Sequence, residues 1–154
     1  MKKILTIIIV IFSIFLLTGC KEKNNNEDDT KIYLDSKFYN KSEYIKVKAD
    51  EFNKINDSAF VVYTYNSFCS LAIPCENIFK EVMDKYKLSF YSMGIWEAQK
   101  TYIYDTVKYA PSIIIIKDKK VIAYLDAESD EDFIRYQDSD EFEKWLDKYI
   151  YLKK

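Results

Sequence analysis

Helical and extended patterns alternate along residues 44–151, in the order strand, helix, strand, helix, strand, helix, strand, strand, helix. That order predicts an α/β fold. Strands separated by helices need right-handed crossovers and pair in parallel. The last two strands are joined only by Lys117-Asp118-Lys119-Lys120, a connection short enough to make them antiparallel. The expected architecture has three layers: a central mixed sheet of parallel strands with a C-terminal antiparallel hairpin, and helices on both faces.

The chain opens with basic Met1-Lys2-Lys3 and an apolar run over residues 4–17, broken only by Thr6 and Ser13. This run falls short of the ~20 residues that span a bilayer. It has the pattern of a secretory signal peptide, expected to occupy residues 1–19. Leu17-Thr18-Gly19-Cys20 resembles the lipobox of bacterial lipoproteins. The resemblance implies that Cys20 is the lipidated first residue of an exported chain, palmitate included, anchored to the outer face of the cell membrane. An ordinary signal peptide with a chance cysteine is the alternative. Residues 21–30 carry no apolar side chain, so 20–30 is expected to be the lipidated cysteine and a flexible tether. Residues 31–154 suit one domain.

Within that domain, residues 31–43 read as a strand or a loop. Tyr44-Ile45-Lys46-Val47-Lys48 alternates apolar and polar, a strand signal. Asp50 is expected to cap a short helix reaching Ile55, with Phe52 and Ile55 facing inward. Asn56-Asp57-Ser58 makes a turn. Residues 59–65 form a nearly continuous apolar, β-branched and aromatic run, expected as a central strand covered on both faces. Pro74 suits the first position of a helix, whose inward stripe is Ile78, Phe79, Val82, Met83 and Tyr86. Counting back four from Phe79 puts Cys75 on that stripe. Residues 88–93 give a strand ending at Gly94. Residues 96–108 are expected to be helical, although their threonines and tyrosines are weak helix formers. Residues 112–116 and 121–125 are the hairpin strands. From about Ser139 a last helix presents Phe142, Trp145, Leu146, Tyr149 and Ile150 on one face.

The chain has no histidine. That removes Ser-His-Asp and Cys-His catalysis and the commonest metal ligand; neither a metal nor a cofactor is expected. No basic block suggests nucleic acid. Without residues 1–19 the formal charge moves from −2 to −4, since Lys2 and Lys3 are lost. Between Asp126 and Glu143, nine acids face one base, Arg135; this is either solvated surface or a docking face for a basic partner. The 14 tyrosines either fill core and edges or build a carbohydrate- or peptide-binding surface. With Cys20 lipidated, Cys69 and Cys75 remain, in a compartment where disulfides persist. They are a disulfide candidate.

The order of elements and its landmarks resemble the thioredoxin fold over most of residues 44–151. Residues 45–52 look like the family's first strand and helix. Residues 61–69 are similar to the strand and loop that lead to its first active-site cysteine. Ile73-Pro74-Cys75 resembles the proline–cysteine step that opens its long helix. Ala110-Pro111 resembles the substrate-facing cis-proline that lies across from the redox pair. The resemblance implies that Cys69 is the exposed nucleophile, that Cys75 is the inward resolving cysteine, and that the two form a Cys69–Cys75 disulfide when oxidised. It also implies a cis bond at Pro111. Such chemistry needs a thiolate to attack and a second thiol to resolve the mixed disulfide, and a helix N-terminus lowers a thiol's pKa.

The chain departs from the family pattern at several points. Ser70 to Pro74 place five residues between the cysteines where the family has two. Tyr63 stands where many members carry a buried aspartate that helps move a proton to the inner cysteine. Tyr65 replaces a common tryptophan, and glycines usual near the final strand are missing. Glu76 adjoins Cys75, and no lysine is closer in sequence than Lys80. Two function classes follow. One is an extracytoplasmic, membrane-anchored thiol–disulfide oxidoreductase using a Cys-x5-Cys pair on the thiols or disulfides of exported proteins, with an unidentified redox partner. The other is a non-catalytic thioredoxin-fold accessory or binding protein, similar to those of bacteriocin export, with a structural disulfide. A buried Cys75 beside an idle, unpaired Cys69 is a third arrangement.

Overall fold

A computed structural model of the chain describes residues 31–66 and 74–153. Five strands, β1 (Tyr44–Lys46), β2 (Ala59–Tyr65), β3 (Phe90–Gly94), β4 (Ser112–Lys117) and β5 (Lys120–Tyr124), form one sheet in the order β1-β3-β2-β4-β5. β3 runs parallel to both β1 and β2, whereas β4 is antiparallel to β2 and β5 to β4. This is the mixed sheet with a late hairpin that the sequence predicts, and the fold is thioredoxin-like.

β2 sits at the centre, with every residue buried except Tyr65, which is partly so. Its apolar run is continuous because helices cover both faces. On one face lie α2 (Cys75–Tyr86) and α5 (Ser139–Asp147). Phe79 of α2 meets Phe142 of α5 at 4.6 Å and Tyr63 of β2 edge-on at 5.5 Å. On the other face, Phe52 of α1 (Ala49–Phe52) packs on Phe60 at 5.9 Å and on Tyr102 at 5.4 Å. Phe52, Phe60, Phe79 and Phe142 are all fully buried, each worth about 1.5–3 kcal/mol of removed apolar surface. Strand alternation assigns the rest: Tyr63 and its register partners Ser92 and Ile113 face α2, while Val62 and its partner Tyr91 face α1. Lys87 closes α2 in a left-handed conformation, φ 55°, donating its amide to the Met83 carbonyl.

Several elements differ from expectation, each for a local reason. Residues 31–43 are neither one strand nor a free loop. They are pinned by an Ile32–Ile150 bridge, a 3₁₀ turn at Ser36–Phe38 and a Tyr39–Leu88 bridge. α1 starts before Asp50 and ends at Phe52, and its first amides are taken by other carboxylates. Glu51 accepts from Lys48 N and Glu97 from Ala49 N, both at 2.9 Å. The helix expected over 96–108 breaks into α3 (Ile95–Ala98) and a 3₁₀ turn at Tyr102–Asp105. Thr101 Oγ1 donates to the Ala98 carbonyl at 2.7 Å, offering the backbone a competing local bond where a helix would continue. Pro74 is the N-cap of α2 rather than its first helical residue. The acidic stretch after β5 is ordered as α4 (Asp130–Phe133) and a 3₁₀ turn, Ile134–Tyr136. α5 begins at Ser139 as expected, capped by Asp138, which accepts from Glu141 N at 3.0 Å.

Candidate functional site

β2 ends at Tyr65, and α2 begins ten residues later with Cys75. Cys69, and with it the expected nucleophile and the Cys69–Cys75 pairing, lies outside the described residues, as does Cys20. The corner is therefore built from Cys75 and the side chains around it. Cys75 is the first residue of a twelve-residue helix and only 4% exposed. Its place at the helix start puts the thiol beside amides without intrahelical partners and the positive end of the dipole. Its inward direction follows from the helical spacing of Ile78, Phe79 and Val82, all buried on the same stripe.

One tyrosine touches that sulfur, and two more from separate elements pack around it, on Tyr63 and on Phe79. Tyr63 of β2 brings its hydroxyl to 3.8 Å from Cys75 Sγ, where either atom can donate. Tyr44 of β1 lies against the Tyr63 ring at 5.4 Å, and its hydroxyl donates to the Glu76 carbonyl at 3.1 Å. Tyr136, from the 3₁₀ turn after α4, packs edge-on to Phe79 at 5.8 Å. Its hydroxyl lies 2.9 Å from both the Pro111 and the Leu125 carbonyl. Burial pushes all three phenols above the ordinary tyrosine range. The nearby Cys75 adds to the effect in each, after Glu76 for Tyr44 and after Asp132 for Tyr136. All three hydroxyls therefore remain neutral donors across the range in which a thiol titrates.

Ala110–Pro111 is a cis peptide bond. The antiparallel register pairs Thr64 with Ser112, so Pro111 stands one step further, level with Tyr65 at the end of β2. Tyr136 ties this loop to α2, since it bonds the Pro111 carbonyl and packs on Phe79. Ser92, level with Tyr63 on β3, is buried, and its hydroxyl has no hydrogen-bond partner among the described residues. No group of three or more Cys, Asp or Glu among those residues is placed to hold a metal ion. No helix among them is long and apolar enough to cross a membrane.

The sequence places Cys75, Pro111 and Tyr63 in this corner. It does not reveal Tyr44 or Tyr136. The available signal for Tyr136 is an apolar trio, Phe133, Ile134 and Tyr136, set within an otherwise acidic segment.

No protein-family model matches the chain, and no curated protein matches its sequence. Among solved structures it is similar to thioredoxins. One from Schistosoma mansoni is 20% identical at a TM-score of 0.48, covering 71% of this chain and 97% of that one. The oxidised thioredoxin of Plasmodium falciparum is 15% identical at 0.48, over 67% and 98%. Oxidised thioredoxin O2 of Arabidopsis thaliana is 15% identical at 0.45, over 69% and 93%. The fold assignment rests on the strand order and landmarks of the chain itself.

Proposed function

We propose that the chain is an extracytoplasmic thiol–disulfide oxidoreductase of thioredoxin type. In this reading a lipid on Cys20 anchors it to the outer face of the cell membrane, and residues 20–30 tether the domain. The Cys69/Cys75 pair acts on the thiols or disulfides of exported proteins, with Ala110 and Pro111 on the substrate side. The observation that carries the reading is Cys75: an inward thiol at the start of α2, on the helix whose Phe79 packs against Tyr136, which in turn bonds the cis-proline carbonyl. Burial suits Cys75 to the resolving role and leaves Cys69 to attack.

In the reducing direction, the Cys69 thiolate attacks one sulfur of a client disulfide. A Cys69–client disulfide forms and the other client sulfur leaves as a thiolate. The Cys75 thiolate then attacks Cys69 Sγ, closing Cys69–Cys75 and releasing the second client sulfur. Two electrons pass from the pair to the client, and the two protons lost by the protein thiols are taken up by the two released thiolates. The same steps reversed oxidise a client dithiol.

Redox trapping with alkylating mass tags tests this. Cys75→Ser is expected to accumulate mixed disulfides with client proteins and Cys69→Ser to leave none; the opposite pattern would exchange the two roles. The 4% exposure of Cys75 also favours a second reading, an accessory protein with the same fold and a structural disulfide. A pair that stays oxidised in mild thiol reductant, with no mixed disulfide from either variant, would leave only that second reading.

A further inference from the structure

We propose that the Tyr63 hydroxyl is the hydrogen-bond donor that stabilises the Cys75 thiolate when Cys75 resolves the mixed disulfide, an inference that rests on the oxidoreductase reading above. A thiolate carries no proton. Of the two atoms 3.8 Å apart, only the phenol oxygen can donate once Cys75 ionises. It has the proton to give, because burial, followed by the charge of Cys75 itself, holds the phenol well above its usual range.

The donor is also fixed in place. Tyr44 lies against its ring at 5.4 Å, Tyr65 at 5.9 Å and Phe79 edge-on at 5.5 Å. The hydroxyl is thus held beside the sulfur before reaction instead of being ordered during it. The charged and titratable groups facing this corner come from four elements. β1 supplies Tyr44, β2 supplies Tyr63, and α2 supplies Glu76, with Asp84 beyond it. The segment after β5 supplies Tyr136, with Asp132 and Asp126 beyond it. The acids oppose a thiolate, whereas the α2 N-terminal amides favour one. Ser92, level with Tyr63 on β3, makes the adjoining wall polar without adding charge. A neutral donor placed on the sulfur adds to the helix terminus and brings no like charge with it.

The test reads Cys75 ionisation directly, without any client. Detergent-solubilised full chain carrying Cys20→Ser and Cys69→Ser has Cys75 as its single thiol. With cysteine isotope-labelled, the Cβ carbon shift is titrated by NMR. Tyr63→Phe keeps the ring and removes the donor. It is expected to raise the thiol midpoint by about one pH unit, a roughly tenfold loss of thiolate at a given pH below the midpoint. Tyr44→Phe removes a neighbouring hydroxyl that bonds a carbonyl instead, and is expected to leave the midpoint in place. An unmoved or lowered midpoint in Tyr63→Phe would overturn the proposal. So would equal shifts in the two variants, because the effect would then belong to the cluster's general polarity. Client trapping that fails while the shift appears removes the oxidoreductase reading, and trapping that succeeds without the shift removes the role of Tyr63.

Discussion

Tyr63 and Tyr91 sit on neighbouring strands and point to opposite faces of the sheet, and their hydroxyls meet different kinds of partner. On the α1 face, Tyr91 donates to Asp57 Oδ2 at 2.8 Å and accepts from Lys37 Nζ at 2.9 Å, and the lysine pairs with Asp57 at 2.7 Å. Burial would lower the Lys37 pKa, but its bonds to Asp57 and Tyr91 outweigh that and the value rises. Asp35 continues the pattern, accepting from Ser58 N and Ala59 N at 3.0 Å each. These charge-assisted bonds fasten residues 35–38 to the start of β2. On the α2 face, Tyr63 meets a sulfur and aromatic rings. The same residue type thus serves as a latch where charges balance and as a neutral wall beside a thiol. Tyr91 is a structural latch on one face, and Tyr63 on the other lines the space around a thiol.

The strongest test of that division is Phe79→Ala. Phe79 is fully buried and touches Tyr63, Tyr136 and Phe142, so truncation is expected to cost about 3–5 kcal/mol in denaturant unfolding. It should also move the Cys75 midpoint, because the Tyr63 ring loses its edge support. A loss below about 1 kcal/mol would mean that the α2 face closes over the gap and that Tyr63 is not held by this contact.

Tyr91→Phe addresses the other face. It leaves Asp57 and Lys37 without the shared hydroxyl, for an expected loss of about 1–3 kcal/mol, while the Cys75 titration stays where it was. A moved midpoint would show that the two faces are coupled through β3.

The smallest effect is expected from Glu97→Gln, read as melting temperature against pH. The Ala49 amide, followed by Lys100, holds the Glu97 carboxyl below its usual range. A folded value below the unfolded one contributes stability that is present above the unfolded pKa. That contribution is lost as the pH falls through the folded value. Glutamine removes it, so the acid limb of the curve should flatten slightly. An unchanged limb would show that the first amides of α1 do not need the charge.

Elements whose signal lies in their own residues were legible. β2 announces itself by an unbroken apolar run, and α5 by the helical spacing of Phe142, Trp145 and Leu146. The expected helix over 96–108 breaks between Ala98 and Tyr102, where the Thr101 hydroxyl bonds back to Ala98, a local contact that propensity summed over a window does not register. Partners distant along the chain were not legible at all. Tyr136 reaches Pro111 and Leu125, and Tyr44 reaches Glu76, across separations that no local pattern encodes. The site was visible as a cysteine at a helix start and a proline before a strand, but its phenol lining was not.

By itself, the sequence determined the order of elements, the inward placement of Cys75 and the absence of histidine chemistry. Each of these is a property of local composition or period. Only the tertiary structure decided what surrounds the sulfur. Pairing β1 and β2 on either side of β3 brings Tyr44 against Tyr63, and folding the acidic segment onto α2 delivers Tyr136. The environment of a thiol depends on which groups share its desolvated space, and that space exists only after the strands have paired and both helical layers have closed over them.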